Sequence, residues 1–474
     1  MKRLFCFVAF CFLVSCSNKE KDRTLITGQI KNPNQNFLIL TDRENFTDTI
    51  FLNKQGEFSY ELELLKEKVF HFKHSPEIQL LYIKPKDSLT LRLNTVDFDG
   101  SLAFGGDSAR ENNLMINFFL DFRKDKDLLL NHHKYSPKEF FNLTNSISES
   151  YLDKFKSDKE YESSISDFFK NYLTNSIHYH AFNLNESYLF LTKRSDTKLS
   201  QLDQETIANY REDVEINTTN SYWDLAYLKF LDNYTKNLAV DECLNRSIKP
   251  SLCHRVNTVE HLISRRKVTS KLIKNPFLKN HLIKRFLTLE ITYADTDEKI
   301  QNTLQEINQY NLLKSDIEFL ERLADFHEQF VVGNTVSHLE FINLNKEKIT
   351  LEPHLNKPTI VHTWSAYSNS NINRRLPRIN RLREIYPEID IVGLNIDYNQ
   401  HRLWRSKVIE NNLQQNLELQ VQANPEFEDL YIYYINKLFF VCPQGKVRDR
   451  KLLIFDDQIE SSILELINNN HHFM

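Results

Sequence analysis

The chain is poor in glycine, with 8 in 474 residues and none between Gly106 and Gly333. A β-domain of that size could hardly make its turns without glycine, so the long middle stretch is not sheet. An excess of basic residues is also lacking. Sixty Lys and Arg face 64 Asp and Glu, for a net charge of −4, which gives no support to a nucleic-acid surface. No Gly-x-x-x-x-Gly-Lys loop occurs, which argues against a nucleotide enzyme. Beyond the first 15 residues no segment is apolar enough to span a bilayer. Hydrophobic content of 41% and charged content of 26% are ordinary for a folded soluble protein. The length leaves room for roughly three domains.

The N-terminus starts with Met1-Lys2-Arg3 and an apolar run from Leu4 to Val14. That run has the length of a signal peptide and is too short for a membrane span. It ends in Leu13-Val14-Ser15-Cys16, and the polar stretch Ser17 to Arg23 follows. This end resembles a bacterial lipobox. The resemblance implies a signal peptide over 1–15, a lipidated Cys16, a tether over 16–23 and attachment to the membrane. Ser17 stands where an inner-membrane retention aspartate would be, so the resemblance implies an outer-membrane lipoprotein of the cell envelope. The face of that membrane is left open. The other reading is an ordinary signal peptide that happens to contain a cysteine.

In the mature chain Cys243, Cys253 and Cys442 remain. Disulfides persist in the envelope. Cys243 and Cys253 close a short loop, and a bond there is worth roughly 2–4 kcal/mol; two free buried thiols are the alternative. Cys253-His254, the pair His178 and His180, and His132-His133 each lack a second cluster at metal-ligand spacing. We expect no metal and no cofactor.

Residues 24–106 read as short strands. Leu25 to Ile30 and Ser88 to Leu93 alternate, Phe37 to Leu40 is a buried run, and Asn53 to Gly56 and Lys84 to Asp87 are turns. The spacing predicts an antiparallel sandwich. It resembles the small N-terminal β-domain of thioredoxin-like lipoproteins of Bacteroidetes, down to the closing Gly106 to Asn113 pattern. Residues 107–332 show apolar residues at helical spacing, most clearly Leu304, Ile307, Tyr310, Leu313, Ile317, Leu320 and Leu323. We expect roughly eight to ten helices there.

Residues 333–474 alternate strands with helices, which points to an α/β sheet. His338 to Leu351 resembles the N-terminal hairpin of the TlpA/ResA-like branch of thioredoxin-fold proteins, Lys357 to Trp364 its first central strand, and Pro377 to Tyr386 the long helix after the motif. Ile389 to Asp397 resembles the second central strand, Trp404 to Ile409 the next helix, and Leu438 to Val447 the late hairpin. The expected architecture is therefore multidomain α+β, with a β-sandwich, a helical middle and a thioredoxin-like α/β domain.

In that family a Cys-x-x-Cys at a helix N-terminus supplies the reactive thiolate, and a cis-proline faces it. Counted from Trp364, the two cysteine places fall on Ser368 and Asn371; counted back from Pro377, on Asn369 and Ile372. Counted back from Gly445, the proline place falls on Asn436. No position in either register carries the family's residue. Exchange needs a thiolate, so we expect no catalytic residue. A Ser368–His362–Asp397 triad is imaginable. His362 reads better as a strand residue at the edge of burial, and Cys442 as a hairpin cysteine pointing away from the motif. Arg374, Arg375, Arg378, Arg381 and Arg383 read as a solvated helix face, or else as a surface for an acidic or phosphate-bearing partner. The expected role is binding or scaffolding of an envelope protein or peptide by a redox-inactive thioredoxin-like domain. The rivals are a TlpA-like thiol–disulfide oxidoreductase and an accessory lipoprotein for peptide or glycan uptake.

Overall fold

The computed structural model describes residues 23–75, 77–157, 165–194, 200–212, 214, 216–217, 223–368, 371–450, 453–456 and 458–470. Cys16 and the expected leader lie outside them, as do Asn369 and Ser370. Among the described residues no helix is long and apolar enough to cross a membrane. Two compact units form, one from Met1–Asp127 with Lys154–Thr174, the other from Leu128–Asp153 with Asn175–Met474.

The first unit holds strands β1 (Thr24–Lys31), β2 (Phe37–Thr41), β3 (Thr47–Phe51), β4 (Glu57–Leu62), β5 (Lys68–His74), β6 (Glu77–Ile83), β7 (Ser88–Asn94) and β8 (Ala103–Gly106). They make two four-stranded sheets, β4-β1-β7-β8 and β3-β2-β5-β6. Both sheets feed one core through inward residues such as Ile26, Ile30, Leu38, Leu40, Leu89 and Leu91. The sandwich is not wholly antiparallel, because β1 and β7 run parallel from Leu25–Ser88 to Lys31–Asn94. Alternation fixes which face is buried but says nothing about the direction of a neighbour. Helix α1 (Ala109–Lys124) follows β8. Its Asn112 side chain both accepts from and donates to the backbone of Tyr82, at 2.8 Å each, and Asn113 does the same for Phe104 at 3.1 and 3.0 Å. Tyr82 and Phe104 lie on the edge strands β6 and β8. The two amides therefore satisfy edge groups that would otherwise invite another strand. Gly106 has φ +100°, and a Cβ there would meet the Ser88 carbonyl at 1.8 Å, so glycine is required at this turn.

The helical stretch continues with α2 (Pro137–Lys156), α3 (Asp167–Arg194), α4 (Gln201–Glu212), α5 (Leu225–Asn245), α6 (Val259–Leu272), α7 (Pro276–Tyr293), α8 (Asp297–Ile307) and α9 (Lys314–Glu328). Side chains of Asp224, Thr258, Asn275 and Thr296 cap the starts of α5, α6, α7 and α8, the ordinary use of these residue types. The apolar run from Leu304 to Leu323 covers two helices, broken between Ile307 and Lys314, and Leu313 is exposed. Periodicity alone carries across a short turn that keeps the same spacing. Cys243 and Cys253 are joined, with their Cα atoms 5.6 Å apart.

The C-terminal sheet has β9 (Glu340–Ile342), β10 (Lys348–Thr350), β11 (Thr359–Trp364), β12 (Asp390–Asn395), β13 (Glu418–Val421), β14 (Leu438–Val441) and β15 (Val447–Asp449), with helices α10 (Leu376–Ile385), α11 (His401–Glu410) and α12 (Ile459–Asn470). The strand order is β10-β9-β13-β12-β11-β14-β15. The central strand β11 is parallel to β12 and antiparallel to β14, and β15 is antiparallel to β14. The order β12-β11-β14-β15, with β12 parallel to β11 and the other neighbours antiparallel, is thioredoxin-like. The helices α10 and α12 cover one face, around Ile360, Ile391, Leu438 and Phe440. The opposite face, with Val361, Val392, Leu419 and Phe439, shares a single core with Ile283, Leu287, Leu320 and Leu323 of the helical stretch.

Candidate functional site

The sheet places the motif segment at the carboxyl end of β11, the end where parallel α/β sheets present their sites. A wide, π-type turn over Asn371–Arg375 leads into α10. Ser368 caps that turn. Its Oγ accepts from the Asn371 N–H at 3.3 Å, and its carbonyl accepts from Ile372 N–H at 3.1 Å. Asn371 is completely buried, and neither atom of its amide has a protein partner.

Asp397 is bound elsewhere. It accepts from Ser365 Oγ at 2.7 Å, from the Ala366 N–H at 2.6 Å and from Asn395 Nδ2 at 2.9 Å. Burial raises its pKa against those three bonds. His362 reaches neither serine. It is fully buried rather than at an edge, and both ring nitrogens lack partners. Burial first, then the nearby Arg383 and Arg375, hold its pKa well below the usual histidine range. The imagined triad is therefore not assembled. Ser368 serves the backbone, Asp397 serves Ser365, and His362 stays neutral.

Asn436 sits opposite, in the loop before β14. It has φ +67°, a left-handed conformation that asparagine tolerates and proline cannot adopt. Its N–H donates to the Thr363 carbonyl at 3.2 Å. Its own carbonyl accepts from Arg375 Nη2 at 3.4 Å. Asn436 thus has a backbone that proline could not adopt, and Arg375 ties it to the turn before α10.

The five arginines do not form one solvated face. Arg375 and Arg383 are buried, Arg378 pairs with Glu460 at 2.8 Å, and Arg374 and Arg381 are exposed. Burial pushes the Arg375 guanidinium down to about 10. Next to Asn436, Lys437 is buried too. Its Nζ lies 3.1 Å from the centre of the Tyr293 ring and donates to the Thr292 carbonyl at 3.4 Å. Arg450 Nη2 donates to the same carbonyl at 2.8 Å. Both cations meet the C-terminal end of α7, where the helix dipole favours positive charge. A lysine or arginine in a sequence reads as surface, so nothing in the chain signals Arg375, Lys437 or Arg450 as interior.

Cys442 is buried and free. It follows Val441, which pairs with Thr359 at the start of β11, the opposite end of that strand from the motif. At the motif end, Tyr367, Ile432 and Tyr433 expose large apolar surface. The described motif groups therefore carry a hydroxyl, a buried amide and an exposed aromatic ring, and no thiol.

No protein-family model and no curated protein matches the chain. Solved structures do. The thioredoxin domain of a thiol-disulfide oxidoreductase from Bacteroides vulgatus is 18% identical, over 29% of this chain and 99% of that one, with a TM-score of 0.24. A thiol-disulfide oxidoreductase from Bacteroides fragilis NCTC 9343 is 15% identical, over 28% and 99%, at 0.24. A thiol:disulfide interchange protein from Bacteroides sp. is 19% identical, over 30% and 97%, at 0.25. Identities and scores this low transfer no activity, and the assignment of the C-terminal domain rests on its strand order.

Proposed function

We propose that the protein is a lipid-anchored component of the cell envelope whose thioredoxin-like domain binds an extended segment of a partner without exchanging disulfides. The observation that carries this is the chemistry at the three places that define the family's activity. Ser368, Asn371 and Asn436 occupy them, and the Ser368 hydroxyl is engaged as a helix cap. Hydroxyls and amides donate and accept hydrogen bonds but do not form the thiolate that exchange requires. The exposed rings beside them suit a partner strand or loop.

Insulin reduction by dithiothreitol tests the negative half. The expected rate equals the no-protein blank, and no mixed disulfide is trapped through the domain. Reductase activity that survives Cys442→Ala would overturn the reading. Activity lost on that change would put the reactive thiol at Cys442 and restore a TlpA-like oxidoreductase. The anchor has its own test. Cys16 is expected to take up a palmitate analogue in cells, and Cys16→Ala to abolish labelling and release the protein from the membrane fraction. Labelling that persists in Cys16→Ala disproves the lipobox.

A further inference from the structure

Among the described residues of the C-terminal domain, Arg375, Arg383, Lys437 and Arg450 are buried cations. The fold itself meets three of them. Arg383 pairs with Glu418 at 3.0 Å. Lys437 and Arg450 donate to the Thr292 carbonyl at the end of α7, at 3.4 and 2.8 Å. Arg375 has neither a carboxylate nor a helix end. Its one hydrogen bond is the 3.4 Å contact of Nη2 with the Asn436 carbonyl, and its Nε is buried without a partner. It forms no ion pair with a described residue. Burial lowers its pKa, and the neighbour that offsets this is the Tyr293 phenol rather than an acid.

Arg375 closes the wide turn Asn371–Arg375 at the carboxyl end of β11, and 7% of its surface stays exposed there. Two neighbouring amides share its condition. Asn371 opens the same turn and is fully buried, with neither side-chain atom partnered. Asn436, whose carbonyl Arg375 bonds, has a buried Oδ1 without a partner. An unpaired buried charge is the costliest of such groups, so a ligand gains most here by cancelling it. A guanidinium is matched bidentately by a carboxylate or a phosphate. The carboxylate is the better match, because it brings one negative charge to one unanswered positive charge. A phosphate group carries nearly twice that charge.

We propose that Arg375 anchors a carboxylate, delivered by a free small acid or by an acidic side chain of a partner segment. The second source rests on the partner reading above; the first does not. Two pairs of probes test the site, each a carboxylate and its uncharged isostere. Sodium propanoate is compared with propanamide, at ionic strength matched with sodium chloride, through the urea midpoint, which a ligand of the folded state raises. The peptides acetyl-Ala-Thr-Glu-Thr-Ala-amide and acetyl-Ala-Thr-Gln-Thr-Ala-amide are compared by titration calorimetry.

The carboxylate is expected to be preferred in at least one pair, by about tenfold for the peptides, as one charge-assisted hydrogen bond gives. Arg375→Gln is expected to abolish that preference. Its urea midpoint without ligand is expected to be no lower than that of the wild type, since it removes an unpaired buried charge. A preference for propanoate alone assigns the site to free acids, and a preference for the glutamate peptide assigns it to a partner. No preference in either pair overturns the proposal, and peptides that then bind equally well leave the partner reading standing. A preference that Arg375→Gln leaves unchanged also overturns it. So does an Arg375→Gln variant that is less stable before any acid is added, which would place the guanidinium in the support of the fold.

Discussion

Replacing His362 by leucine is expected to stabilise the protein, and to do so more strongly the lower the pH. The imidazole lies on β11 facing the α10 side of the sheet, with Leu438 as its neighbour across the pair. It is completely buried, and neither nitrogen has a partner. A buried polar group left unpaired costs about 1–3 kcal/mol. Leucine has nearly the same volume and no polar atom, so that cost disappears at every pH. A second contribution comes from protonation. In the unfolded chain histidine takes up a proton as the pH falls through about 6.5. In the folded chain burial, with Arg383 and Arg375 nearby, keeps His362 neutral far below that. Unfolding therefore binds a proton in acid, and acid favours the unfolded state. The advantage of leucine should therefore grow as the pH falls below about 6.5. Urea midpoints at pH 7.5, 6 and 4.5 measure it, and the buried Trp364 and Trp404 report on this domain. A destabilised leucine variant, or a difference that ignores pH, would mean that the nitrogens find partners in solution.

The same residue shows where the sequence stops being legible. The thioredoxin-like strands could be read because apolar runs alternate with amphipathic helices. What stayed hidden is charge in the interior. His362 read as an edge residue and Arg375 and Arg383 as a wet helix face, because a polar letter implies solvent unless its partner is known. The partners are distant in sequence. Arg375 meets residue 436, and Arg383 meets Glu418. Strand direction was hidden for a related reason. The parallel pair β1–β7 joins segments 63 residues apart (88 − 25, from the first register pair), and neither segment encodes its neighbour's direction.

Arg383→Met is expected to be among the most damaging substitutions in the C-terminal domain, and a second substitution should largely repair it. Glu418 is fully buried beneath the sheet. It accepts from Arg383 Nη2 at 3.0 Å and from Trp364 Nε1 at 3.1 Å, while Arg383 Nε also donates to the Ile391 carbonyl at 3.0 Å. Gly393 leaves the room for this carboxylate, since a Cβ at 393 would meet Glu418 Oε2 at 2.1 Å. Burial pushes the Glu418 carboxyl up to about 7, and the guanidinium and indole hold it from rising further. Removing the guanidinium leaves an uncompensated buried acid, which costs about 3–5 kcal/mol. The pH dependence has a definite direction. The folded variant keeps Glu418 protonated at a pH where the unfolded chain, titrating near 4.5, has released the proton. Raising the pH therefore favours unfolding, and the penalty of Arg383→Met should be larger at pH 8 than at pH 5.5. Arg383→Met with Glu418→Gln removes both charges and keeps an acceptor for Trp364, so most of the loss should return. Urea midpoints of the two single variants and the double, at both pH values, complete the cycle. A double variant no more stable than Arg383→Met alone, with a penalty that does not move with pH, would mean that Arg383 acts by packing rather than by holding the buried carboxylate.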